Sequence, residues 1–335
     1  MKLFQSIFGR GETRGHYPES LIETAIERAV DGTDARLRHL PGFRRRLRQP
    51  VIHAIDHVVA LVDAIPAAIP AARADVSREP RLAALFASAD AMLEAFGQDP
   101  TLARYLASPE GRGSEAVTTL LLAERIERNI LGLDLVGDQV RRDVPQVAVS
   151  FTGHRLLEPQ VDEAQTRRYL KRRAFDHLLT LALARIAEAR VERADLARQR
   201  DLLKQKQRTL ERSGWTLEPR QDQAADPVAL MAELDRISAQ LDALGADQDV
   251  LQNHLEIVAH LLDTAARQLW AEPLRLWLDA MNIQRDDQNP AARPIDLAEL
   301  HNARGRRAVM LPLIIRPGEL PAREDFVVAA ERYLR

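Results

Sequence analysis

The chain contains no cysteine among its 335 residues. Disulfide bonds, thiolate nucleophiles and zinc sites built on cysteine are therefore excluded, and a reducing compartment such as the cytoplasm is expected. Aromatic residues are also scarce, at 4%, while Ala and Leu are abundant, which favours helix over strand. The formal net charge is only -2, so no overall electric field demands a nucleic acid or a membrane as partner.

A long apolar run is lacking as well. The most apolar window, residues 51–72, contains two histidines, two aspartates and two prolines, so it cannot be a transmembrane helix of about 20 apolar residues. Near the start of the chain, Phe4 and Phe8 either dock on the folded body or touch a membrane surface as a short amphipathic segment. We expect a cytoplasmic protein, with a peripheral position at the inner membrane as the alternative. Lysine is rare beside arginine, a bias typical of GC-rich bacterial genomes.

Two long segments, 172–210 and 234–269, repeat their apolar residues in alternating steps of three and four. The first seam consists of Arg172, Phe175, Leu179, Ala182, Ile186, Ala189, Arg193, Leu196, Arg200, Leu203, Gln207 and Leu210. The second consists of Leu234, Ile237, Leu241, Leu244, Gln248, Leu251, Leu255, Val258, Leu262, Ala265 and Leu269. Such a stripe needs a second helix to cover it, so we predict an antiparallel coiled-coil hairpin over 160–282. A helix of about 50 residues is about 75 Å long, so the hairpin is expected to project.

The outer half of the predicted hairpin carries charge within its seam. An antiparallel register places Arg193 opposite Asp247 and Asp249, and Arg200 opposite Asp242. Charged seam residues cost desolvation unless they are paired, but they fix the register of the two helices. We therefore predict interhelical arginine–aspartate pairs there.

The loop at the tip of the hairpin contains Trp215 and Leu217. Tryptophan often anchors protein interfaces, so these two residues are the candidate contacts for a protein partner. The alternative is that Trp215 closes the open end of the seam.

Outside the hairpin, the patterns predict a mainly α fold. Acidic residues followed by proline, at Glu79-Pro80 and Asp99-Pro100, have the form of helix starts. A longer helix is predicted over 114–140 and a short one over 295–303. A last helix is expected to form a separate segment at 321–335.

Alternating apolar residues predict two strands, at about 144–151 and 307–316. Because an antiparallel hairpin returns the chain to its own base, we expect these strands to pair there. Met281-Asn282-Ile283 is a candidate third strand. The predicted fold class is thus a helical N-terminal body, a long antiparallel coiled-coil hairpin and a small two- or three-stranded β-sheet at the hairpin base. The predicted domains are the helical body at 18–142 and a β base at 143–320 that carries the hairpin.

His53 and His57 lie four residues apart on a predicted helix, a spacing that metal ligands use. The pattern His-Ala-Ile-Asp-His is similar to the HxxEH of inverted zinc peptidases, but Asp56 replaces the essential glutamate. We therefore predict a surface or packing pair and no metal site. A metal-dependent hydrolase at His53 and His57 remains the third functional interpretation.

A basic block runs from Arg36 to Arg48. Such a cluster either forms a solvated face paired with nearby acids, or binds phosphate, RNA or anionic lipid. Its candidate anion-binding residues are Arg44, Arg45, Arg46 and Arg48. A second block, at 167–173, would strengthen the anion-binding interpretation if the two blocks converge in space.

These observations favour a non-enzymatic interaction or scaffold protein without a cofactor. Its hairpin would recruit a protein partner or mediate self-association. The alternative is a peripheral anion binder that uses the Arg36–Arg48 block on a nucleic acid or an anionic membrane surface.

Overall fold

The computed structural model describes residues 17–136, 139–213, 227–243 and 249–321. The chain divides into two compact units. The first, which we call the helical unit, combines Met1–Asp56 with Phe175–Ala265. The second, the sheet unit, combines His57–Ala174 with Ala266–Arg335.

Helices and strands both contribute substantially. The helices are α1 (Glu19–Asp31), α2 (Phe43–Asp63), α3 (Pro80–Leu85), α4 (Ala89–Gln98), α5 (Pro100–Ala107), α6 (Glu163–Ser213), α7 (Pro227–Ala243), α8 (Val250–Asp263) and α9 (Ala265–Gln268). The strands are β1 (Ile69–Pro70), β2 (Val117–Val136), β3 (Gln139–Gln160), β4 (Leu269–Leu278), β5 (Arg293–Asn302) and β6 (Arg307–Ile315). Short 3-10 turns cover Ala35–His39, Arg73–Asp75 and Pro317–Glu319.

In the helical unit, many of the predicted seam positions are buried. The buried seam residues are Phe175, Leu179, Ala182 and Ile186 of α6, Leu234, Ile237 and Leu241 of α7, and Leu255, Val258 and Leu262 of α8. α1 and the first part of α2, up to Asp56, belong to the same unit. Within it, Arg28 of α1 pairs with Asp176 of α6, and Arg46 of α2 pairs with Glu256 of α8. Packing of the two seams as a coiled coil stays a prediction.

The predicted small sheet is wrong. The structure is 54% helical and about 26% strand, with one six-stranded sheet in the order β3-β2-β6-β5-β4 and β1 beside β6. All neighbours are antiparallel except β1, which runs parallel to β6. The strand predicted at 307–316 is β6, and the one at 144–151 lies within β3. These two strands do not pair, because β2 lies between them.

Three predictions of helix are corrected by this sheet. Residues 114–140 contain β2 and residues 295–303 lie almost wholly in β5. β4 occupies part of the predicted hairpin range 160–282. The predicted strand at Met281–Ile283 reduces to an isolated bridge between Ile283 and Ala148 of β3.

Both faces of the sheet are covered within the sheet unit. One face packs against α3, α4 and α5 through a cluster that includes Leu121, Leu311, Leu313, Leu82 and Phe96. The predicted helix starts are correct here, because Glu79 caps α3 and Asp99 caps α5. The other face packs through Leu120, Leu122 and Met310 against Val62, Ile65 and Leu170.

Candidate functional site

A buried polar cluster of the helical unit is centred on Asp34. Its carboxylate accepts the backbone N–H of Arg36 (3.1 Å), as an N-cap does for the turn Ala35–His39. The same carboxylate accepts side-chain hydrogen bonds from Arg36 (3.0 and 2.8 Å), from Arg190 of α6 (2.8 Å) and from His254 of α8 (2.8 Å). Only 6% of the Asp34 side chain and 3% of the His254 side chain are exposed. One buried carboxylate thus connects three segments of this unit.

His254 lies between a carboxylate and a guanidinium, and this position fixes its protonation. Its Nδ1–H donates to Asp34, because a carboxylate only accepts, and its Nε2 lies 3.4 Å from Nε of Arg190. Burial lowers the pKa of His254, and the positive charge of Arg190 acts in the same direction. Hydrogen bonds from Arg36 hold the pKa of Asp34 far below its ordinary value. Near neutral pH, the pair consists of a carboxylate and a neutral imidazole.

This arrangement restricts what the cluster can do chemically. A general base needs an imidazole nitrogen within reach of a substrate proton. Here Nδ1 is used by Asp34 and Nε2 faces Arg190. The cluster therefore acts as a cross-link between the turn, α6 and α8. No local sequence pattern reveals the pair, because Asp34 and His254 are 220 positions apart.

The predicted basic block is largely neutralised by carboxylates of the same unit. Its ion pairs are Arg36–Asp34 (2.8 Å), Arg38–Asp31 (2.6 Å), Arg44–Glu27 (2.8 Å), Arg46–Glu256 (2.5 Å) and Arg48–Glu19. Hydrogen bonds from Arg44 and Arg46 lower the pKa of Glu27 and Glu256, respectively. Of the arginines in this block, Arg45 has no carboxylate partner among the described residues. These contacts are those of a solvated face paired with nearby acids.

The second basic block lies in the sheet unit and is used structurally. Arg167 donates to the carbonyl oxygens of Val62, Ile65 and Pro66 (2.8–2.9 Å), which satisfies acceptors at and beyond the end of α2. Lys171 pairs with Asp63 at 2.8 Å. The two basic blocks belong to different units of the chain.

His53 and His57 each have a partner of their own. Nδ1 of His53 lies 2.6 Å from Oδ1 of Asp263, and Nε2 of His57 lies 2.6 Å from the carbonyl oxygen of Leu269. Within the described ranges, no group of three or more histidine, aspartate or glutamate side chains is arranged to hold a metal ion.

The predicted partner-binding residues Trp215 and Leu217 lie outside the described residues, as do Asp247 and most of the predicted C-terminal helix at 321–335. Arg200 pairs with Asp201 of its own helix at 3.3 Å. The predicted interhelical arginine–aspartate pairs therefore stay predictions.

The outer part of α6 displays a second stripe, on the side away from the seam. Val191 and Leu202 are 61% and 60% exposed. Between them, Asp195 and Arg198 form an exposed ion pair at 3.2 Å. The four residues follow steps of four, three and four, so they lie along one side of the helix. The stripe is hard to recognise from the sequence because the seam on the opposite side of the helix is more apolar.

A row of polar and aromatic side chains crosses three strands of the sheet unit. Trp270 of β4 lies opposite His301 of β5, which lies opposite Arg307 of β6. The Trp270 and His301 rings stack with their centroids 5.5 Å apart. In the adjacent row, the buried Glu299 pairs with Arg125 of β2 at 3.0 Å.

Comparison with known proteins adds no functional assignment: no protein-family model, curated protein or solved structure matches the chain. In the part of the chain that the structure describes, none of the helices has the length and apolar character needed to cross a membrane.

Proposed function

We propose that the protein is a non-enzymatic scaffold that self-associates through α6, in an antiparallel contact between two copies. The observation that carries this proposal is the exposed stripe Val191–Asp195–Arg198–Leu202. In a two-fold antiparallel contact centred between Asp195 and Arg198, Val191 faces the partner copy's Leu202. The same rotation places Asp195 opposite the partner copy's Arg198. The stripe is therefore complementary to itself, which is the requirement for a contact between identical surfaces.

The size of the contact sets the expected affinity. Twelve helical residues extend about 17 Å, so the stripe alone buries less than the ~800 Å² per partner of a standard interface. Burying each exposed Val or Leu side chain contributes roughly 1.5–3 kcal/mol before the entropy cost of association. We expect a concentration-dependent dimer with a Kd between about 10 μM and 1 mM.

The non-enzymatic part of the proposal is supported by how the buried ionisable groups are used. His254 has both ring nitrogens against neighbouring side chains, and the Glu299 carboxylate is paired with Arg125. Both groups stabilise contacts between segments distant in sequence. A cytoplasmic location belongs to the same proposal and rests on the lack of cysteine.

The test is sedimentation velocity of the full chain over a broad concentration range up to about 1 mM. Asp195→Arg and Arg198→Asp each place like charges across the contact, so each variant alone should stay monomeric. An equimolar mixture of the two variants should form a heterodimer, because arginine then faces aspartate at both positions. The double variant, with both charges exchanged, should dimerise as the wild type does.

This design separates contacts between copies from contacts within one helix, because mixing two variants leaves the sequence of each unchanged. Val191→Gln with Leu202→Gln should abolish the dimer. The matched control, Leu183→Gln with Met231→Gln, changes two exposed apolar residues outside the stripe and should retain it. A wild-type chain that is monomeric at every concentration would overturn the proposal, and so would two charge variants that fail to associate when mixed.

A further inference from the structure

The turn between β5 and β6 is exposed and is closed by several hydrogen bonds. The Asn302 side chain accepts the backbone N–H groups of Arg304 and Arg306, both at 3.1 Å. The backbone N–H of Asn302 donates to the carbonyl oxygen of Arg306, and the N–H of Gly305 donates to the carbonyl oxygen of Asn302, both at 3.0 Å. Gly305 has φ +73°, a conformation that glycine adopts without strain. Residues 303–307 are all exposed.

Besides Arg304, three arginines lie at or beside this turn. Arg306 and Arg307 lie on the turn and at the start of β6. Arg267 of α9 is adjacent, because the N–H of Ala303 donates to the carbonyl oxygen of Gln268 at 2.9 Å. Across the described ranges of the chain, none of these three guanidinium groups has a carboxylate within ion-pair distance. They differ in this respect from most arginines of the Arg36–Arg48 block.

An aromatic surface adjoins these cations. Trp270 is partly exposed and stacks on His301, which is directly opposite Arg307 in the sheet. The Trp270 Nε1–H donates to Glu272 at 2.9 Å. The other nearby carboxylate, Glu299, is already paired with Arg125 of β2. Arg267, Arg306 and Arg307 therefore carry three positive charges that no described carboxylate pairs with.

We propose that this turn binds single-stranded nucleic acid. Arg267, Arg306 and Arg307 would contact successive phosphates, and Trp270 would offer its ring for stacking by a base. Proteins that bind single strands combine a positively charged track with aromatic platforms in this way. An anionic membrane is less favoured, because the largest apolar side chain on the turn itself is that of Ala303, which offers little surface for insertion.

The experiment is fluorescence anisotropy with a labelled oligodeoxythymidine of about 15 nucleotides, a length that covers a single-strand site. Three phosphate contacts predict a salt slope of about -2, so affinity should fall about 20-fold between 50 and 200 mM salt. Arg267→Gln, Arg306→Gln and Arg307→Gln combined should weaken binding at low salt by roughly tenfold or more. Trp270→Leu should weaken it by about fivefold or more, because stacking is lost.

The matched control is Arg44→Gln, Arg46→Gln and Arg48→Gln combined, which changes the net charge by the same amount and removes only guanidinium groups that are paired with carboxylates. This control should bind the oligonucleotide as the wild type does, and circular dichroism should show that all variants are folded. If the two triple variants lose the same amount of affinity, the oligonucleotide binds to the overall positive charge of the protein and not to the turn, and the proposal is overturned. No binding to the oligonucleotide at low salt would also overturn it. Binding to anionic vesicles instead, abolished by the turn variant, would assign the turn to a membrane surface.

Discussion

Replacement of Asp34 by asparagine should destabilise the helical unit more than any other single loss of charge on α1 or the following turn. The asparagine keeps the shape of the side chain but removes the charge that Arg36, Arg190 and His254 share. Removing one member of a buried ion pair typically costs about 3–5 kcal/mol. The guanidinium groups of Arg36 and Arg190 are about half exposed and can turn toward water. We therefore expect a loss of about 2–4 kcal/mol.

The assay is urea unfolding followed by far-ultraviolet circular dichroism, with the midpoint and the slope compared between variants. Asp31→Asn is the matched control, because Asp31 also pairs with an arginine but has an exposed side chain. The control should lose less than about 1 kcal/mol. If both variants lose the same free energy of unfolding, burial of the Asp34 carboxylate does not add to the stability that its ion pairs provide, and the reasoning is refuted.

Three further predictions follow from buried groups. Burial lowers the pKa of His254, so as the pH falls the unfolded chain binds a proton at this residue before the folded chain does. The free energy of unfolding should therefore fall as the pH drops below about 6.5. In urea titrations at several pH values, His254→Gln should remove this contribution to the pH dependence of the free energy of unfolding. Glu299→Gln should cost about 1–3 kcal/mol in urea unfolding, because the buried guanidinium of Arg125 loses its buried carboxylate partner and keeps only Glu127. Gly111→Ala should lower the melting temperature in calorimetry, because its Cβ would lie 2.1 Å from the carbonyl oxygen of Tyr105.

The sequence predicts an element correctly where its local pattern fits only one type of secondary structure. The heptad spacing of 172–210 predicts a helix because its apolar residues recur on one face only, and α6 covers this range. Acid followed by proline at positions 79–80 and 99–100 marks helix starts through the hydrogen bonds that the acid accepts, and both helices begin there. β6 is predictable as a strand because its apolar run is short and contains the β-branched residues Val309, Ile314 and Ile315.

The sheet is underestimated from the sequence because the first part of β2, residues 117–123, is buried on both faces. Leu121 packs into one cluster, while Leu120 and Leu122 pack into the other. A strand covered on both sides is continuously apolar, so its period of two disappears and a helical pattern fits equally well. β5 has a helical pattern for a different reason. Its Glu299 resembles the exposed residue of an amphipathic helix, and its burial depends on Arg125, which is 174 positions away.

The arginines of this chain illustrate why the number of charges in a segment is a poor guide to ligand binding. The Arg36–Arg48 block has more arginines than the turn after β5, and the sequence alone ranks it first. Folding brings Glu27 and Glu256 against Arg44 and Arg46, whereas Arg306 and Arg307 are left facing water. A guanidinium that already donates to a carboxylate must break that pair before it binds a phosphate. Its contribution to anion binding is therefore reduced by the strength of the pair it leaves. The comparison of the two triple arginine variants measures this difference directly, since both remove the same charge and only one removes unpaired guanidinium groups.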